Sequence, residues 1–159
     1  MNPKQIIDAV RDYMDAEDFR YKVDFEHKPH PLIVTGFGLP EGIPDVRMVI
    51  DPKESGYLVV AIPEMRFSAK HIGELQEFVA RANWNLLSGS FDLDVHDGDV
   101  RFRYFVDCNG LKSLPAKVIE RSIHLPVCMI ERYGAELCAV TEGIVDARTA
   151  IARVGHPDA

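Results

Sequence analysis

A chain of 159 residues, 47% hydrophobic and 27% charged, is the size of one ordinary domain and buries roughly 70% of its unfolded surface on folding, so a single domain over 1–159 is expected. A net charge of −7 without any Lys/Arg cluster argues against nucleic acid and against anionic membranes, and no apolar run approaches the roughly 20 residues that a membrane helix needs. Asp8, Asp12 and Asp15 in place of an apolar leader, and three cysteines without CxxC spacing, argue against a secretory signal and a disulfide framework, so the cytoplasm is the expected compartment.

Asn2 and Pro3 stand as N-cap and first helical residue before Ile6, Ile7, Val10, Tyr13 and Met14, which repeat at helical spacing. Tyr21, Val23 and Phe25 then alternate with Lys22, Asp24 and Glu26 as a half-buried strand does, until Pro29 and Pro31 interrupt the pattern. Strands follow at 32–37, 45–50 and 57–62, separated by Gly/Pro-rich connections, and together read as an antiparallel meander. Tyr57 to Ile62 has no polar face, and Leu32–Val34 and Met48–Ile50 are similar; such strands want cover on both faces.

Ser68 is a natural N-cap, and Ile72, Leu75, Phe78, Val79, Ala82 and Leu86 form an apolar stripe that predicts a core-facing helix ending near Ser88 and Gly89. A two-residue Asp97-Gly98 turn then predicts a hairpin in which His96 pairs with Asp99. That register sets Val95 against Val100, Leu93 against Phe102 and Phe91 against Tyr104 on one face, and Asp94 against Arg101 and Asp92 against Arg103 on the other. Beyond Asn109-Gly110, Ser113 and Pro115 open a helix with Val118, Ile119 and Ile123; Pro126 predicts a break or kink, and Ile130, Tyr133, Leu137 and Val140 resume helical spacing up to Gly143. A final helix is expected over 144–154, with a frayed tail after it.

Candidate chemistry is sparse. His124 and Cys128 are spaced i, i+4 on a helix but lack complementary ligands for zinc. Asp92, Asp94 and His96 line one strand face, where Arg101 and Arg103 already face them, so a charge-paired solvent face accounts for all five. Ser88-Gly89-Ser90 lacks the flanks of a nucleophile elbow, and Thr35-Gly36-Phe37-Gly38 lacks the lysine and following helix of a phosphate loop. No catalytic, metal or cofactor residue is assigned. Asn83-Trp84-Asn85 sets the only tryptophan between two amides; such amides commonly satisfy nearby backbone, and a Trp there covers core or meets a partner.

The order of these parts resembles the YbjN family: a central helix ending in Asn83, a small-residue corner, Phe91-Asp92-Leu93-Asp94, Asp97-Gly98, Arg101-Phe102-Arg103-Tyr104, and a C-terminal helical hairpin carrying Glu131-Arg132-Tyr133 to Gly143. The resemblance is good over about 67–143. It implies an α+β fold, an antiparallel sheet with helices packed on it similar to that of type III secretion chaperones, which commonly dimerise and bind extended segments of other proteins. It also implies a non-enzymatic sensory-transduction regulator or chaperone-like binder. The expected partner is therefore another protein, with a homodimer expected too. Val49, Leu58 and Val60 on the meander and Trp84 are the candidate contact residues, because the meander's apolar residues outnumber those that one buried face requires. Helices of this chain covering both faces would account for the same pattern. The alternatives are a small ligand-binding domain or enzyme using Trp84, His71 or His96, and a dedicated secretion chaperone.

Overall fold

The computed structural model describes residues 1–84 and 86–155. Among them are helices α1 (Pro3–Ala16), α2 (Ile72–Asn83), α3 (Ala116–Thr141) and α4 (Ala147–Val154), and strands β1 (Tyr21–Asp24), β2 (Leu32–Phe37), β3 (Val46–Lys53), β4 (Gly56–Pro63), β5 (Ser90–Leu93) and β6 (Val100–Asp107). The strands form one open antiparallel sheet in the order β1-β2-β3-β4-β6-β5, which makes the fold α+β as expected. The neighbours β1 to β4 are the meander, and β6 adds to β4 because the chain between them forms α2 and returns at the sheet's edge.

Local signals account for most boundaries. Asn2 accepts the Gln5 N–H at 2.9 Å while the Gln5 side chain accepts the Asn2 N–H at 2.9 Å, a reciprocal cap on α1. β1 stops at Asp24 rather than running on through Phe25, because the Asp24 carboxylate accepts the N–H groups of Glu26 (3.0 Å) and His27 (3.3 Å) and turns the chain, leaving Phe25 66% exposed. Ser68 caps a 3-10 turn, Ala69–His71, that leads into α2.

Three further expectations are corrected. α2 ends at Asn83, five residues before Ser88, because the Asn83 side chain engages β5 and Trp84 is already extended. α3 starts at Ala116 with Pro115 as its cap residue and continues through Pro126 as one helix, so that of the expected break or kink the break does not occur. Pro126 is itself buried, and Ile119, Ile123, Ile130, Tyr133, Leu137 and Val140 are buried on either side of it; six such side chains at roughly 1.5–3 kcal/mol each outweigh the ~3 kcal/mol of an interior proline. The last helix begins at Ala147 rather than 144, with Asp146 accepting the Thr149 N–H at 2.7 Å, and Ile144 is 71% exposed. The expected frayed tail falls largely on 156–159, outside the described residues.

The hairpin register also differs. Leu93 pairs with Val100, Phe91 with Phe102 and Asp92 with Arg101, two residues from the expected partners. A two-residue turn of the I′ type needs positive φ at both central residues, but Gly98 has φ 79 and Asp97 is not in the positive region. Instead Asp94 and Asp97 take the N–H groups of His96 and Asp99, each at 2.9 Å, and a wider loop closes through Asp94 N–H to Asp99 O and Gly98 N–H to Asp94 O, both 2.8 Å. Because the side-chain period is two, this shift changes every partner and leaves every residue on its expected face.

The core lies on one side of the sheet. α1 packs on β3 and β4, α3 on β4 and β6, α2 on β5, and α4 on α2 and α3. One cross-sheet row on that side, Phe91, Phe102, Ala61, Met48 and Thr35, is buried throughout. Tyr57 is buried there too, its hydroxyl 2.8 Å from Ser122 Oγ, which donates to Ile119 O at 2.7 Å.

Candidate interaction surface

Strand alternation places the other half of each strand on the opposite side, where none of the described helices packs. The row there reads Lys22, Val34, Val49, Val60, Arg103 and Ser90 across six strands. Beside it, Asp51 stands next to Leu58 and Leu58 next to Phe105, and Arg47 next to Ile62. Val34, Val49, Leu58, Val60 and Ile62 are half-buried, and Phe105 is 48% exposed. The face is thus apolar at its centre and charged around it, the layout of a protein contact. The idea that the helices cover both faces does not hold.

The rim is of mixed sign and partly self-paired. Lys53 Nζ lies 2.5 Å from Asp51 Oδ2 and Arg103 Nε 2.6 Å from Asp92 Oδ2. Arg101 pairs with Asp99 rather than Asp94, which is spent on the loop. Asp92 with Arg103 survives as an ion pair, now diagonal across the hairpin. Two depressions open beside these groups, one of about 560 Å³ lined by Lys53, Leu58, Gly89, Ser90, Arg103 and Phe105, and one of about 930 Å³ extending around the β5 edge to Val79 and Ala80 of α2.

Of the residues singled out from sequence, Val49, Leu58 and Val60 lie together on this face. Trp84 does not belong to it by register: it is 69% exposed on the connection from α2 to β5, near the fully exposed Leu87. Asn83 does satisfy backbone, but that of β5 eight residues on, accepting the Phe91 N–H at 2.7 Å and donating to Phe91 O at 2.9 Å; Asn85 lies outside the described residues. Val34 and Phe105 were missed as contact candidates. Phe105 was legible, since it shares the face of Arg101 and Arg103 in β6.

Elsewhere the chemistry is plain. His124 and Cys128 are both exposed, and among the described residues no group of three or more His, Cys, Asp or Glu is placed to hold a metal ion. His71 sits in a cleft of about 370 Å³ with Arg66, Lys70 and Glu142, which includes neither Trp84 nor His96. Burial pushes the thiols of Cys108 and Cys138 up, away from the reactive thiolate. Burial likewise raises the Tyr57 phenol, the Ser122 hydrogen bond opposing it only in part. No described helix is long and apolar enough to cross a membrane.

No curated protein sequence matches the chain. The family model described as "Putative bacterial sensory transduction regulator" matches residues 7–139, from the second turn of α1 almost to the end of α3, and on that match the chain belongs to the YbjN family.

Proposed function

We propose that this chain is a non-enzymatic, cytoplasmic protein-interaction domain, a YbjN regulator that works by contact through the helix-free face of its sheet, and that a second copy of itself is the first occupant of that face. The supporting observation is the row Val34, Val49 and Val60, with Leu58 and Phe105 beside it, half-buried or exposed on a side that no helix covers. Size favours the same occupant. Six strands at about 4.8 Å and up to eight residues at about 3.3 Å make a face of up to roughly 29 by 26 Å, close to the roughly 800 Å² per partner of a standard interface. A second copy presents an identical apolar centre and a rim of both signs, the condition for an isologous dimer. Trp84 and Leu87 lie off the face and are available to a further protein partner.

Sedimentation velocity across a concentration series tests this with wild type and Val60→Lys. The expected result is a wild-type dimer that dissociates on dilution and a Val60→Lys chain that is monomeric with unchanged circular dichroism. A wild type that is monomeric at every concentration, or a variant that dimerises as well as wild type, overturns the reading.

A further inference from the structure

The two edges of the sheet are protected differently. β1 presents Lys22 and Asp24, both exposed, and charge of this kind discourages a neighbouring strand. β5 has apolar Leu93 next to exposed Val95 at its edge, and its backbone polarity follows from its one partner. Asp94 N–H bonds Asp99 O across the hairpin at 2.8 Å, so by the alternation of an antiparallel ladder Ser90 and Asp92 also point toward β6, while Phe91 and Leu93 point their N–H and C=O outward. An outward pair like this is where a further strand would bond.

At Phe91 that place is taken. The Asn83 carboxamide accepts the Phe91 N–H at 2.7 Å and donates to Phe91 O at 2.9 Å, the two bonds that a peptide group of an added strand would make. We infer that Asn83 stands in for one residue of a seventh strand and keeps the β5 edge closed to the β5 edge of a second copy. The incoming copy is the strand this edge would otherwise accept, because an antiparallel β5-to-β5 pairing about a two-fold axis satisfies both chains equally, and the depression of about 930 Å³ beside Val79, Ala80, Leu93 and Val95 leaves room for it. The same contact fixes the end of α2 against the sheet. This inference does not rest on the proposed face contact, since the edge and the face are different surfaces.

Two measurements test it. In wild type, hydrogen exchange should find the Phe91 amide protected and the Leu93 amide fast. By sedimentation velocity at a temperature where all variants are folded, Asn83→Ala should shift to species larger than those of wild type. Adding Leu93→Pro should return it to the wild-type distribution, because proline removes an outward N–H and no bond to β6. A folded Asn83→Ala chain with the wild-type distribution, enlarged species that persist with Leu93→Pro, or Phe91 and Leu93 amides that exchange alike in wild type would each overturn the inference. If Asn83→Ala does not fold, the wild-type exchange pattern decides by itself.

Discussion

The two faces of the sheet come from the same strands and from similar side chains: Ile33, Met48, Val59 and Phe102 on one, Val34, Val49, Val60 and Phe105 on the other. The first set is fully buried beneath four helices, and the second is half-buried or exposed. Hydrophobicity along a strand therefore says that a face wants cover without saying what supplies it. Here the chain's own described helices cover one face and leave the other, whose apolar side chains stay partly open to solvent.

Substitutions can break or sharpen that contrast. The largest expected effect is on the covered face, where Phe102 is buried and packs edge-on to Phe91 with ring centroids 5.0 Å apart. At a concentration low enough that wild type is monomeric, Phe102→Ala should cost about 3–5 kcal/mol in chemical denaturation, whereas Val60→Lys on the open face should stay within about 0.5 kcal/mol of wild type, as surface changes do. Equal losses from the two would mean that the faces are not as different as they look.

Next in size is Gly98→Ala in the loop that joins β5 to β6. Gly98 is buried with φ 79, and an added Cβ would collide with the Ser68 carbonyl at the start of the turn into α2. A loss of about 1–3 kcal/mol is expected, and it would show that hairpin and helix are held as one unit. A neutral result would detach the hairpin from the covered side.

The smallest effect is expected from Tyr57→Phe, about 1 kcal/mol near neutral pH, because Ser122 keeps its bond to Ile119 O. Its pH dependence is more telling. Burial holds the Tyr57 phenol above the ordinary value of about 10, so above that pH the unfolded chain releases a proton that the folded one keeps. Stability is then fully present below about pH 10 and falls as pH rises beyond it. Tyr57→Phe should flatten that fall, though not remove it, since burial raises Tyr133 in the same sense. Equal alkaline slopes in the two proteins would place Tyr57 in contact with water.

Much of the architecture was legible along the chain. Asn2, Ser68 and Gly143 mark ends that the structure keeps or nearly keeps, and 32–37 is recovered to the residue, because capping and alternation are local properties. The errors came where a side-chain contact overrides the pattern, a distant one for α2 and α3 and one only two residues away in the hairpin loop. Asn83 ends α2 by reaching β5, Pro126 stays inside α3 because the core buries both flanks, and the Asp97-Gly98 loop widens as Asp94 and Asp97 spend their carboxylates on nearby N–H groups.

The candidate surface divides along the same line. By itself the sequence determined that Val49, Leu58 and Val60 are too apolar for an ordinary solvated face, and which residues share each side of the sheet, since strand alternation is set by backbone geometry. Only the tertiary structure decided that the described helices pack on the other side and that the Asn83 side chain bonds the backbone of the sheet's last strand at Phe91. Those outcomes depend on contacts between segments far apart in the chain, where pattern alone leaves the partner of each apolar face unspecified.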